Sequence, residues 1–189
     1  MTRLMFSALL YATLASGANA AGLDDATRSQ IDALRQGDMR KLVLSDGRDL
    51  SAAGFTDADG TPQTLADSTG KVRIVNFWAT WCGPCRAEKP TLDALNADLQ
   101  GPGFEVLAIA TGRNSNAAIK RFNAENGIES LATYLDPDGA MARELGVFGL
   151  PVSILINGEG TEIGRLTGGT DWSSESARAI VEALIAAGS

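Results

Sequence analysis

Hydrophobic and polar positions along this chain switch between two periods, and the switches mark out its elements. Residues Val72 to Trp78 are β-branched, aromatic and nearly continuous in apolar character, the pattern of a strand buried on both faces. From Gly83 to Leu99 the period lengthens. Leu92, Leu95 and Leu99 recur at spacings of three and four, and Gly101-Pro102-Gly103 stops the helix they imply. Pro90 removes a backbone donor inside that helix and predicts a kink. Phe104 to Ala110 reads as a second buried strand, so the three segments form a βαβ unit with a right-handed crossover.

The alternation then repeats. Ser115 caps a helix with Ala118, Ile119 and Phe122 on its face and Gly127 as its stop. Leu131 to Leu135 is a short strand, and Asp138 to Leu145 a short helix. Val152 to Ile156 is a third strong strand. Asn157-Gly158 predicts a hairpin turn into a strand over Thr161 to Leu166. A last helix opens near Asp171 to Ser174 and presents Ala177, Ile180, Val181, Leu184 and Ile185 on one face. Upstream, residues 23–37 read as a short helix closed by Gly37. Residues 41–53 form a strand or packing extension, and Asp59-Gly60 marks a turn between two short strands.

The first twenty residues carry a different pattern. Arg3 precedes an apolar run over residues 4–14, and Ala18-Asn19-Ala20 has the form of a signal-peptidase site. The run is shorter than the roughly 20 residues that span a membrane. The expectation is a cleaved signal peptide over residues 1–20, with a retained anchor as the other reading. Export would place the protein where thiols tend to be oxidised.

Composition narrows the chemistry. With 23 acids against 16 bases in 189 residues, the net charge of −7 lacks the basic footprint of a nucleic-acid binder. There is no histidine, which excludes Ser-His and Cys-His catalysis and histidine metal sites. The two cysteines, Cys82 and Cys85, have no obvious local partners for a zinc site. They fall at the junction of the central strand and the following helix. There the unpaired N–H groups and the helix dipole favour a thiolate on Cys82, while Cys85, one turn on, faces the same way. Pro84 suits the first helical turn and stiffens the loop. As a mere staple, so small a ring contributes only about 2 kcal/mol. Redox chemistry is therefore the preferred reading of the pair.

The segment Asn76-Phe-Trp-Ala-Thr-Trp-Cys-Gly-Pro-Cys-Arg-Ala-Glu-Lys-Pro90 resembles the active-site segment of the thioredoxin superfamily, and more narrowly that of the TlpA-like (ResA-like) extracytoplasmic thiol–disulfide oxidoreductases. The resemblance extends over about residues 54–189, through Gly149-Leu150-Pro151 and Asp171-Trp172. It implies a three-layer α/β fold with a central mixed sheet flanked by helices. The N-terminal helical extension would cover residues 21–53 and an αβ insertion about residues 112–135.

For the site, the resemblance implies a redox-active Cys82–Cys85 disulfide with Cys82 as nucleophile and Cys85 as resolving thiol. It implies a cis peptide bond before Pro151, where a proline simply opening a strand is the plainer reading. It also implies substrate contacts from Trp81, Gly83, Pro84 and Leu150. One of Trp78 and Trp81 belongs to the core and the other to the contact surface. Asn76 stands where thioredoxin itself has an aspartate, and an amide cannot accept a proton. Glu88 is then either a carboxylate near the active site or a solvated helix residue. Gly83-Pro84 between the cysteines, with no histidine, favours a reducing couple.

The function implied is a periplasmic, monomeric protein-disulfide reductase with no bound cofactor or metal. Its targets would be an apocytochrome or a copper-site protein, and its reductant a membrane thiol donor of the DsbD/CcdA type. A thioredoxin-like chaperone or metallochaperone without redox turnover is the alternative, since Cu(I) can be held by two thiolates.

Overall fold

The computed structural model describes residues 22–188, so the signal peptide expected over residues 1–20 lies outside the described residues. In chain order the elements are α1 (Asp25–Leu34), a 3₁₀ turn (Gly37–Lys41), β1 (Val43–Leu44), β2 (Gly54–Asp57), β3 (Pro62–Thr64) and a second 3₁₀ turn (Leu65–Ser68). They continue with β4 (Val72–Trp78), α2 (Gly83–Leu99), β5 (Phe104–Thr111), α3 (Asn116–Glu125), β6 (Tyr134–Asp136), α4 (Ala140–Glu144), β7 (Val152–Ile156), β8 (Glu162–Thr167) and α5 (Glu175–Ala186).

The strands form one mixed sheet in the order β1-β8-β7-β4-β5-β6-β2-β3. β4 runs parallel to β5 and antiparallel to β7, and β6 runs parallel to β5. Strand alternation sorts the core onto two faces. Ile74 and Trp78 of β4, with Phe104, Val106 and Ala108 of β5, pack among residues of α1, α2, α3 and α5. Val75 and Phe77 point the other way, with Leu107 and Ile109, onto Met141 and Ala142 of α4 and Leu145 just after it. The result is the thioredoxin-like arrangement of helices on both faces of a mixed sheet.

The N-terminal segment adds more than a helix. α1 packs on α5 and buries Ile31, and β1 adds an edge strand along β8. Asp24 caps α1, its carboxylate accepting the Thr27 N–H at 2.7 Å. Within residues 112–135, α3 carries the chain from β5 into β6, so β6 separates β5 from the β2–β3 hairpin.

Both predicted hairpin turns form, with a loop one residue longer than an Asn-Gly or Asp-Gly pair implies. Asn157 pairs with Thr161, and the left-handed residue is Gly160 (φ 90°), not Gly158. Asp57 pairs with Thr61 around Gly60 (φ 85°) in the same way. In each loop a side-chain oxygen, of Asn157 or Asp57, accepts N–H groups two and four residues on, which selects the longer turn. α2 continues through Pro90 as a single helix of 17 residues.

Candidate active site

Strand β4 ends at Trp78, and four residues later Cys82 caps α2. Its Sγ accepts the Cys85 N–H at 3.3 Å, so a helix-terminal donor aims at the sulfur that would carry thiolate charge. Gly83 and Pro84 occupy the first two helical positions, where the missing proline N–H leaves no intrahelical bond unmade. Cys82 and Cys85 form a disulfide with an S–S distance of 1.99 Å. Cys82 is 6% exposed and Cys85 fully buried, so what access the pair has to solvent lies at Cys82.

The loop carrying Trp81 and Cys82 is tethered to the end of β5. Thr80 donates both its N–H and its hydroxyl to Asn114 Oδ1, at 2.9 and 3.0 Å. Asn114 in turn donates to the Thr111 carbonyl at 2.9 Å. Sequence reasoning passed over Asn114, because an asparagine in a loop carries no distinctive signal.

Opposite the disulfide, the Leu150–Pro151 peptide bond is cis. Between the two loops lies an open groove of about 610 Å³, lined by Trp81, Cys82, Pro84, Val147, Phe148 and Leu150 among others. Trp81 is 67% exposed and Phe148 91% exposed, whereas Trp78 is buried. Trp78 is thus the core residue and Trp81 the surface one. Phe148 was missed in the sequence because nothing around it predicted exposure. The floor of the groove is braced by Asp136, which accepts the Thr111 hydroxyl at 2.6 Å and the Met141 and Ala142 N–H groups at the start of α4.

Glu88 is not a solvated helix residue. It is 3% exposed, and both its oxygens are engaged. Oε1 accepts from Asn76 Nδ2 at 2.6 Å, and Oε2 from the Thr170 N–H at 3.0 Å. Burial pushes its carboxyl up to about 7, against the pull of the Thr170 N–H, the Asn76 amide and the Lys41 charge. The structure therefore puts a carboxylate that can hold or release a proton near neutrality one helical turn from Cys85.

The neighbouring Lys89, unmarked in the sequence as a site residue, is 2% exposed. Its Nζ lies 3.3 Å from the centroid of the Trp78 ring, which tilts on Phe122. Burial pulls its ammonium down to about 7, with the Asp93 charge opposing. Asp93 is itself occupied, accepting the N–H groups of Ser130 and Leu131 at 2.9 and 3.0 Å and that of Glu129 at 3.3 Å.

Residues 43–182 match the Redoxin family. The thiol:disulfide interchange protein HelX of Rhodobacter capsulatus is 36% identical over 116 residues, 61% of this chain and 59% of HelX. The match thus spans less than two thirds of that relative. The thiol-disulfide oxidoreductase ResA of Bacillus subtilis is 32% identical over 128 residues, 68% of this chain and 70% of ResA. A crystal structure of a thiol:disulfide interchange protein of the thioredoxin family from Chlorobium tepidum superposes with a TM-score of 0.60 at 28% identity, covering 75% of this chain and 99% of that one. By sequence, fold and the strand-to-helix cysteine pair, the chain belongs to the Redoxin family, among its ResA-like members with a thioredoxin fold.

Proposed function

We propose that this protein is a periplasmic thiol–disulfide oxidoreductase that reduces disulfides in target proteins, using Cys82 and Cys85 alone and no bound cofactor. The observation that carries the reading is the pairing of a sulfur at the mouth of an apolar groove with a buried sulfur one turn behind it.

In the reduced protein the Cys82 thiolate attacks the target disulfide. A bond forms between Cys82 and one target sulfur, and the other target sulfur leaves as a thiolate and takes a proton from solvent. Cys85 then loses its proton to the Glu88 carboxylate and attacks Cys82 Sγ. The Cys82–Cys85 bond forms, the bond to the target breaks, and the second target sulfur is released as a thiolate. The target gains two electrons and the enzyme loses them. Glu88 gives its proton to solvent through the shallow groove it shares with Thr91, Gly169 and Asp171. The target segment lies along Trp81, Phe148 and Leu150, the last beside the cis bond before Pro151.

An oxidising compartment cannot regenerate the dithiol, so the reading includes a membrane thiol donor of the DsbD/CcdA type. Suitable targets are a haem-site apocytochrome or a copper-site protein, whose thiols must be free before metal loading. The apolar N-terminal run supports export, and no helix among the described residues is long and apolar enough to cross a membrane. The protein works as a monomer.

Insulin-disulfide reduction with dithiothreitol tests the activity, and turnover dependent on Cys82 is expected. Copper retention without turnover would favour a metallochaperone. A Cys85→Ser variant in cells should hold the target as a stable mixed disulfide, identifiable by mass.

A further inference from the structure

Lys89 has a burial that packing does not explain. Lys89 is 2% exposed, so its ammonium keeps little contact with water, and such a loss of hydration is costly unless the charge is paired and hydrogen-bonded. Among the described residues, no carboxylate lies within ion-pair distance of Lys89 Nζ and no hydrogen bond holds it. Its contact is the face of Trp78, 3.3 Å away, a cation–π interaction that offsets part of the cost. A methionine or leucine would fill the same place with less penalty.

Position on the helix supplies the reason. Lys89 follows Cys85 by four residues, so the two are neighbours on one face, about 5–6 Å apart at Cβ. Side chains on a helix lean toward its N-terminus, which carries Lys89 over the turn that holds Cys85. Both residues sit in the interior on the Trp78 side of the sheet. In that setting of low polarity a charge acts strongly on a neighbouring thiolate.

We infer that Lys89 is a positioning residue of the redox centre, whose ammonium, seated on Trp78, stabilises the Cys85 thiolate during resolution of the mixed disulfide. The inference rests on the thiol–disulfide exchange proposed above and assigns the electrostatic role there to Lys89, while Glu88 takes the proton. No new bond or electron transfer is involved.

The other charges around Lys89 are few. On α2 they are Glu88, Asp93 and Arg86, whose guanidinium lies over Phe122. α3, packed through Phe122, brings Arg121 and Glu125 to the groove beside Arg86. The loop capped by Asp93 carries Glu129. On β4, Arg73 leaves from the opposite face of the strand toward Leu65 and Ser68. Arg73 is fully buried but on the other face of β4, and Arg86 and Arg121 are exposed, so within this set Lys89 is the buried cation on the Trp78 side.

The test uses the Cys82→Ser variant, in which Cys85 is the one thiol, and follows thiolate absorbance against pH. Adding Lys89→Met should raise the Cys85 pKa by about one unit or more, a tenfold loss of thiolate below it. Adding Lys89→Arg should leave it near the parent value. Where the methionine variant does not fold, NMR of the Lys89 Nζ in the parent serves instead. By reciprocity, its titration must move to higher pH once Cys85 ionises. A Cys85 pKa indifferent to residue 89, or a Lys89 titration indifferent to Cys85, overturns the inference while insulin turnover persists. Absence of insulin turnover in the unmodified protein would instead overturn the exchange reading on which it stands.

Discussion

Asn76 Nδ2 and Glu88 Oε1 meet at 2.6 Å, joining the central strand to the helix that carries the cysteines. The same amide nitrogen donates to Ser153 Oγ on β7 at 3.0 Å. The strand position thus supplies a donor, and the ionisable group sits on α2. The proton-accepting function that an amide cannot perform is available one helical turn after Cys85.

Replacing Glu88 by Gln should remove the acceptor and keep the shape. With the carboxyl pushed up to about 7, the unmodified protein should show an inflection near neutral pH in the rate of mixed-disulfide resolution. In Glu88→Gln that inflection should vanish and resolution slow by about tenfold or more at pH 7.5. Stopped-flow release of a labelled target, followed across pH, reads both effects. An unchanged pH profile would remove Glu88 from the chemistry.

The two sulfurs should differ in reactivity. Cys82 touches the groove and receives the Cys85 N–H, while Cys85 is fully buried. Iodoacetamide at mildly acidic pH should therefore alkylate Cys82 first in the reduced protein. Peptide mapping decides the matter, and preferential labelling of Cys85 would reverse the assigned roles.

Much of this site was legible in the sequence because strong local signals agreed there. A continuous apolar strand, a Cys-Gly-Pro-Cys junction and a helix with leucines at spacings of three and four all specify one geometry. The same spacing, extended backwards from Leu92, puts Glu88, Lys89 and Cys85 on the buried face of α2. Their charge hid this, since charged helix residues are rarely buried. The Asn157-Gly158 and Asp59-Gly60 signals located turns but not their lengths. Side-chain acceptors at Asn157 and Asp57, which decide the loop type, depend on the closed turn. Phe148 and Asn114 acquire their roles only when loops distant in sequence meet beside Cys82.

Asp93 ties the loop after α3 to α2. Its carboxylate accepts three consecutive backbone N–H groups, from Glu129 to Leu131, and the Ser130 hydroxyl. Asp93→Ala would leave those donors without partners in a largely buried place, a loss of about 3 kcal/mol. A thermal midpoint lower by roughly 6–12 °C is expected. Loss of less than about 1 kcal/mol in urea titration would mean that water replaces the carboxylate there.

Phe148 should matter for targets and not for folding. Its ring is 91% exposed at the edge of the groove, so Phe148→Ala removes little buried surface from the protein. An extended target segment would cover that ring. KM for a protein disulfide is expected to rise about tenfold, equivalent to about 1.4 kcal/mol of lost apolar contact. The thermal midpoint and the rate with a small disulfide should stay the same. A fall in thermal midpoint with KM unchanged would assign the ring to stability.

Glu88 and Lys89 together predict an unusual dependence of stability on pH in the oxidised protein. The Glu88 carboxyl, ordinarily near 4.5, titrates near 7 in the fold. Between those values the native state holds more protons than the unfolded chain, so this group's contribution to stability falls as pH rises. Lys89 is displaced the other way, from 10.5 to about 7. Between 7 and 10.5 the unfolded chain holds more protons, so stability recovers as pH rises. Both burdens are present together near pH 7, each of order 3 kcal/mol or more for displacements from 4.5 and from 10.5 to about 7. The protein should therefore pass through a local minimum of stability close to neutrality, where many proteins are near their maximum. Lys89→Met should remove the recovery above pH 7 and raise the thermal midpoint at pH 7, because a buried charge is replaced by an apolar chain of similar length. Glu88→Gln should flatten the descent below pH 7. Urea unfolding of the oxidised protein at pH 5, 7 and 9 reads the curve directly, and a maximum at pH 7 in the unmodified protein would show that neither group carries its buried charge there.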